Sequence, residues 1–264
     1  MPLLLKALVM GIVEGLTEFL PVSSTGHLIL TSVVIDYPEA RRVTMDIFIQ
    51  LGAILAVFWH YGPDLRDLVR RVPGDAAARG LVLKVLLAFL PAAVAGLALH
   101  HAIEERLFNP QSVALALIVG GMILIAVERR AAHATVDDIE RIGWRAAAGI
   151  GVAQVASLVP GVSRAGATIV GGLLAGLSRP VATQFSFYLA LPTVSAASLW
   201  SLAKGLPLLG AADLAPLAVG FLAAFFSALV VIRSLLVYVQ SHDFRVFGYY
   251  RIVVGLLVYL LLRR

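Results

Sequence analysis

Cysteine is absent from the 264-residue chain, which removes disulfides, zinc–thiolate sites and thiol nucleophiles together. Charge is scarce. Only 14% of residues are Asp, Glu, Lys or Arg, where a soluble domain carries about 25%. Apolar residues make up 60% before the 23 glycines are counted, and the mean hydropathy is +0.92. That composition excludes a soluble globule, a disordered chain and a coiled coil, and it implies an integral membrane protein. The net charge of +5 does not imply nucleic acid, because basic residues in such a chain report on loop placement. No small-residue cleavage site follows the first apolar stretch, which carries Glu14 and Glu18, so a secretory signal peptide is not expected.

What is present is a series of apolar segments. A spanning helix needs about 20 mostly apolar residues. The candidates are Asp46–Tyr61, Leu81–His101, Ser112–Val127, Gln184–Lys204, Leu214–Val239 and Phe247–Leu262. The connections Gly62–Gly80, Ala102–Gln111, Glu128–Arg145, Gly205–Asp213 and Gln240–Val246 are too short for a second domain, so residues 1–264 form a single membrane domain. Two segments depart from the spanning pattern. In Leu3–Ile35 an apolar arm is broken at Pro21-Val-Ser-Ser-Thr-Gly-His27, and the return arm Leu28–Ile35 is eight residues long. As a helix that arm rises about 12 Å, well short of a bilayer core. Ala146–Leu177 is broken in the same way at Pro160-Gly-Val-Ser-Arg-Ala-Gly-Ala-Thr168. Both read as re-entrant hairpins with polar, non-helical tips. Irregular backbone at membrane depth survives only against protein or a wet cavity, so the two tips are expected to share one polar pocket.

A repeat supports that expectation. Shifting the chain by 140 residues aligns Gly11–Leu30 with Gly151–Val170, with Gly11/Gly151, Val22/Val162, Ser23/Ser163, Gly26/Gly166 and Ile29/Ile169 identical. Residues 1–128 then form a first repeat and 146–264 a second, each with one hairpin and three spans. Three crossings leave the second half inverted. The expected fold is therefore an all-α polytopic membrane protein with six transmembrane helices, two re-entrant helix hairpins and an inverted-topology repeat. In that arrangement seven Lys or Arg lie on the side of the termini and eleven on the other, with Arg164, Arg233 and Arg251 at membrane depth. The positive-inside rule then puts both termini outside, in a bacterium the periplasm.

Charged groups inside a bilayer are costly and are functional by default. Glu14 and Glu18, at i and i+4, share one helix face. Their repulsion is relieved by an Arg, by a hard divalent cation such as Mg²⁺ or Ca²⁺, or by one Glu staying protonated; the plain alternative is a Glu pair in a wet crevice. Ser23, Ser24, Thr25 and His27 supply hydroxyls, a candidate nucleophile and a titrating base. Taken alone, those hydroxyls read equally well as a turn with a helix cap, and His27 as a satisfied buried histidine. Gly26 lets the backbone turn and offers N–H groups to an anion. At the second tip Arg164 must find an anion, and its planar fork suits phosphate oxygens. It also suits a structural ion pair with Glu14 or Glu18, a partner that substrate would displace. Gly161, Ser163, Gly166 and Thr168 surround it with backbone donors and hydroxyls. Gln50 either lines the pocket or satisfies backbone groups. This inventory fits a phosphorylated lipid whose tail enters from the bilayer, since phosphoryl transfer needs positioning and charge neutralisation above all.

Glu14-Gly-Leu-Thr-Glu18-Phe-Leu-Pro-Val-Ser-Ser-Thr-Gly-His27 resembles the first signature of the bacterial undecaprenyl-pyrophosphate phosphatases, also called the bacitracin-resistance protein family. Pro160–Thr168 resembles the second signature. Ile49–Ala56, Gly171–Arg179, Phe185-Ser-Phe and Phe247–Arg251 also fit, so the resemblance covers nearly the whole chain. It implies an inner-membrane enzyme that removes one phosphate from the C55 carrier pyrophosphate, returns the monophosphate to cell-wall synthesis and confers bacitracin resistance. It also implies a divalent cation, Mg²⁺ or Ca²⁺, a site open to the periplasm, and often a homodimer. The family's Glu-x-x-x-Glu pair maps to Glu14 and Glu18, its serines to Ser23 and Ser24, its histidine to His27 and its phosphate-binding arginine to Arg164. Ala165 stands where the family often has Ser, so that hydroxyl is not essential here. Ser24 is the expected nucleophile with His27 or Glu18 handling protons; His27 as a phosphohistidine former, and water, stay open as alternatives. The acid-phosphatase superfamily is rejected, because Val170 stands where its nucleophilic His would follow the Ser-Arg pair. A polyprenyl-phosphate transporter or flippase on the same scaffold is the alternative function. A purely structural membrane protein would need none of the buried charges.

Overall fold

Long runs of Ala, Leu, Val and Ile with few interior breakers leave the backbone one way to satisfy its polar groups without water, the α-helix. A computed structural model describes residues 1–107, 109–131, 134–205 and 210–261. Within them lie eleven α-helices: α1 Leu3–Thr17, α2 Ser24–Val34, α3 Glu39–His60, α4 Gly62–Arg71, α5 Ala76–Leu107, α6 Pro110–Ala131, α7 Trp144–Val155, α8 Arg164–Leu174, α9 Arg179–Gly205, α10 Leu214–Tyr238 and α11 Arg245–Leu261. The sole β pairing among the described residues is the isolated bridge of Val136 to Leu177.

Five of these helices are long and apolar enough to cross a bilayer: α3, α5, α6, α9 and α10. The protein is thus an all-helical, multi-pass membrane protein. On α5, exposed Leu86, Leu90, Val94 and Leu97 recur every three or four residues, as do Leu222, Phe226 and Val230 on α10. Such stripes face lipid. The segment expected at Phe247–Leu262 is α11, 17 residues ending at Leu261, shorter than the other five; residue 262, like Arg263 and Arg264, lies outside the described residues.

Helix ends differ from the sequence reading in a consistent direction. The span expected at Asp46–Tyr61 begins at Glu39, because the helix starts straight after Pro38 and carries Arg41 and Arg42 toward the interface. Leu81–His101 lengthens to Ala76–Leu107, since alanines are strong helix formers. Ser112–Val127 begins at Pro110, a residue favoured at a first helical position. The connection Gly62–Gly80 contains α4, started by Pro63 in its first turn. Its last residue, Arg71, donates to Glu140 at 2.9 and 3.1 Å and to Asp75, tying this loop to the 139–141 turn.

The two hairpins are α1–α2 and α7–α8. Their tips are less irregular than expected: Ser24–His27 and Arg164–Thr168 are already helical, so the breaks narrow to residues 18–23 and 156–163. Ser23 and Ser163, which are 140 residues apart, immediately precede α2 and α8 with the same φ of 73°. Both return helices have 11 residues, about 16 Å of rise. Packing follows the same correspondence. α1 lies on α10, and α7 lies on α5. A Cβ on Gly11 of α1 would sit 2.2 Å from the Gly220 carbonyl of α10; one on Gly151 of α7 would sit 2.6 Å from the Ala88 carbonyl of α5. Close backbone approach through glycine is how helices associate where no hydrophobic force separates protein from lipid. Between the hairpins α3 crosses α9, and Phe19, Ile54, Leu124, Ile150, Phe185 and Phe187 fill the interior.

Candidate functional site

Helix starts carry unpaired N–H groups, and α2 and α8 begin at the same cavity, about 170 Å³, lined by Ser23, Ser24 and Thr25 of one tip and Gly161, Ser163 and Arg164 of the other. The junction between the tips is Glu18, the residue that follows α1. Its Oε2 accepts a 2.6 Å hydrogen bond from Ser24 Oγ, and its Oε1 accepts one of 2.9 Å from Arg164 Nη2. Both charged side chains are almost enclosed, at 7% and 10% exposure, where a lone charge would be expensive. Arg164 also donates from Nη1 to the Ser186 carbonyl at 3.1 Å and lies over the Phe19 ring. Its Nε is buried with no partner. Repeat-equivalent positions thus hold Ser24 on one tip and Arg164 on the other.

The serines before the two helices differ. Ser163 Oγ accepts from the Gly166 amide at 3.0 Å and caps α8. The Ser23 side chain makes no such cap. The start of α2 is therefore left without a side-chain cap, and an uncapped helix start favours an anion.

Glu14, one turn before Glu18, is 1% exposed, and its Oε2 has no hydrogen-bond partner. The charged groups that bear on it are Glu18, Asp46 and Arg164. A group of three or more His, Cys, Asp or Glu does not occur among the described residues, so a dedicated all-protein cage is not built here. Glu14 does not line the cavity, but its unpartnered oxygen beside the Glu18 carboxylate fits the donor chemistry of a hard cation such as Mg²⁺.

His27 does not line the cavity. Its Nδ1 lies 2.7 Å from the Ser23 carbonyl and must donate, so its Nε2 accepts from the Tyr250 hydroxyl at 2.8 Å. The two rings stack with centroids 5.5 Å apart. Thr168, Gly26 and Gly166 also lie off the cavity wall. Thr168 Oγ1 bonds Ser186 Oγ at 2.7 Å, behind Arg164. Gly26 packs against Leu117, and Gly166 against Arg251. Gln50 lines the cavity, with its Oε1 accepting from Ser198 at 2.8 Å.

Ser157 and Thr193 also line the cavity. Ser157 stands at the repeat position of Thr17. Thr193 follows Pro192 inside the long helix α9. Asp46, half-buried in α3, lies 3.9 Å from Arg42 through Oδ2 while its Oδ1 has no hydrogen-bond partner; in the sequence it stands only at the edge of an expected span. A larger open cleft of about 530 Å³ lies at the end of α10, around Arg233, Tyr238 and His242; none of the candidate residues reaches it.

The family described as bacitracin resistance protein BacA matches residues 7–257. Undecaprenyl-diphosphatase of Nitrosospira multiformis is 49% identical over 256 residues, covering 97% of this chain and 94% of that protein. The protein of the same name from Laribacter hongkongensis is 49% identical, with 97% and 94% covered. Undecaprenyl-diphosphatase 2 of Rhodospirillum rubrum is 49% identical over 257 residues, again with 97% and 94% covered.

Proposed function

The chain belongs to the BacA bacitracin-resistance family, and from that membership we propose that it hydrolyses undecaprenyl diphosphate to undecaprenyl phosphate and inorganic phosphate within the membrane. The product re-enters cell-wall synthesis. The observation that carries the reading is the position of Glu18, in contact with Ser24 of its own hairpin and with Arg164 of the other. One polar cavity then holds a nucleophile, a proton acceptor and a phosphate-binding cation.

In this reading the diphosphate enters between the starts of α2 and α8, and the apolar tail stays in lipid, because the cavity has room only for the head. Substrate oxygens draw Arg164 away from Glu18. The freed carboxylate takes the Ser24 hydroxyl proton as Oγ attacks the terminal phosphorus. The bond from that phosphorus to the bridging oxygen breaks, and undecaprenyl phosphate leaves. Water then attacks the phosphoserine, the P–Oγ bond breaks as Glu18 returns its proton to Ser24 Oγ, and inorganic phosphate leaves as H₂PO₄⁻ with both protons of the attacking water. Positioning and charge neutralisation supply most of the rate in such transfers. A divalent cation at Glu14 and Glu18 would neutralise diphosphate charge and polarise its oxygens. His27 acts by holding the Ser23 carbonyl, and so the start of α2, in place. Six spans with two re-entrant hairpins, an inverted repeat, a site open to the periplasm with both termini there, an inner-membrane location and a homodimer complete the proposal. The matched hairpin geometry and the basic connections support it.

The test is phosphate release from undecaprenyl diphosphate by purified protein in detergent, with Mg²⁺, with Ca²⁺ and with chelator, beside Arg164→Ala. Release that needs the cation and is lost in the variant is expected. Protein that is folded yet releases nothing under any condition would overturn the phosphatase and favour a lipid transporter on this scaffold.

A further inference from the structure

Arg251 of α11 is the largest fully buried side chain among the described residues, 1% exposed. A buried guanidinium ordinarily sits beside a carboxylate, because desolvating an unpaired charge costs several kcal/mol. None pairs with Arg251 among the described residues. Its partners are four backbone carbonyls. Nε donates to Leu117 at 3.4 Å and Nη2 to Ala116 at 3.2 Å, both on α6. Nη1 donates to Pro21 at 3.2 Å and Nη2 to Gly161 at 3.1 Å.

Pro21 and Gly161 are equivalent positions of the 140-residue repeat. One side chain from outside both hairpins therefore grips the same carbonyl of each tip, two residues before the serine that precedes each return helix. The surroundings are carved to admit it. A Cβ on Gly120 would fall 2.1 Å from Arg251 Nη2, and one on Gly166 would fall 2.8 Å from Nη1. Gly161 holds a φ of 97°, open to glycine without strain. Four of the five guanidinium N–H groups are committed to backbone, and Arg251 is absent from the cavity lining, so it is not a substrate ligand.

We propose that Arg251 is a positioning residue that clamps the two hairpin tips to each other, setting the separation between Ser24 and Glu18 on one tip and Arg164 on the other. This rests on the phosphatase reading of the cavity. The tips belong to separate repeats, and their direct tie, Arg164 to Glu18, is the one that substrate displaces. Arg251 supplies the tie that persists when substrate is bound. It also draws the carbonyls of Pro21 and Gly161 toward itself, which leaves the uncapped start of α2 for the anion. Misplacing reacting groups by about 1 Å costs on the order of a hundredfold in rate.

The experiment uses the full-length protein in detergent and two substitutions. Gly120→Ala keeps the guanidinium and every cavity residue but pushes Nη2 off the Ala116 and Gly161 carbonyls. Arg251→Lys keeps the charge and loses the fork. Steady-state kinetics on undecaprenyl diphosphate are normalised to folded protein by thermal melting. A kcat lowered about ten- to a hundredfold with KM nearly unchanged is expected for both. Should Arg251→Lys fail to fold, Gly120→Ala alone decides. Because the chain has no cysteine, spin labels placed on Leu20→Cys and Val162→Cys, flanking the two tips, give a readout independent of turnover. Their distance distribution broadens in both variants if the clamp is real, whether or not the wild-type protein releases phosphate. Normal kcat per folded molecule, a raised KM at unchanged kcat, or an unaltered distance distribution overturns the proposal. Absence of phosphate release by the wild-type protein, with the distance change present, sinks the phosphatase reading and leaves the clamp standing.

Discussion

Glu18→Gln exchanges one oxygen for an NH₂ group and, through the surrounding geometry, reverses one hydrogen bond. Arg164 Nη2 lies 2.9 Å from Glu18 Oε1 and has only protons to offer, so the new amide must turn its oxygen to Arg164. Its NH₂ then faces Ser24 Oγ, which sits 2.6 Å from Oε2. The serine becomes an acceptor and loses the group that would take its proton. Shape and burial are conserved, so the fold survives. Loss of a positioned general base lowers kcat by about 10²–10⁴. Arg164 meanwhile keeps a hydrogen bond to the amide oxygen but loses the opposite charge of its ion pair and becomes easier for phosphate to capture, so KM stays level or falls. Ser24→Ala should lose a similar factor. The double variant should be no slower than the slower single one, because nucleophile and base act as a unit. The assay is initial-rate phosphate release from undecaprenyl diphosphate in detergent, with Mg²⁺ present. A Glu18→Gln enzyme within about tenfold of the wild-type kcat would refute the proton transfer to Glu18. So would a double variant whose losses multiply.

His27→Gln should cost less kcat than Ser24→Ala, because the ring holds the Ser23 carbonyl and touches Tyr250 without lining the cavity; a histidine variant slower than the serine one would restore His27 as the nucleophile. Gly11→Ala drives a Cβ to 2.2 Å from the Gly220 carbonyl, and Gly151→Ala to 2.6 Å from that of Ala88. Both contacts are to backbone, which cannot rotate away, so each should destabilise by about 1–3 kcal/mol, Gly11→Ala the more, read as a lower melting temperature in detergent. Asp75, outside the spans, is held below its usual 3.8 by the Arg71 guanidinium and the Ala77 amide. A lowered carboxylate adds stability above its unfolded pKa and loses it as pH falls through the folded value. The wild-type melting temperature should therefore drop more steeply below pH 3.8 than that of Asp75→Asn; parallel curves would show that the pair contributes nothing.

Much of the site was legible because membrane burial makes polar residues conspicuous. Glu14, Glu18 and Arg164 stand out against apolar neighbours, and the breaks at Pro21–Ser23 and Pro160–Ser163 mark the tips by chain chemistry alone. The helical onset at Ser24 and Arg164 was less visible. Ser-Ser-Thr-Gly reads as a turn, and its hydroxyls enter the first turn of α2 only because Ser23 takes a φ of 73° within the packed hairpin. Gln50 could be assigned to the cavity only once α3 was seen to cross α9. Thr193 follows Pro192 in an otherwise apolar run, and nothing in that run says which way its side chain turns.

Class, family and the two breaks in apolar segments were readable from the sequence alone. Each of these follows from local chemistry: apolar run length, the backbone demands of Pro and Gly, and motifs of consecutive residues. Tertiary structure alone decided how the polar groups are shared. It paired Ser24 with Glu18, and Glu18 with an arginine 146 positions away. It turned His27 out to Tyr250, 223 positions away, and set Arg251 on matching carbonyls of both tips. The physical reason is rotational. Period and hydropathy say which residues share a helix face, but in a bilayer a face toward lipid and a face toward protein are equally apolar. Which way each helix turns is settled where glycines let backbones touch, and that contact joins parts of the chain far apart in sequence.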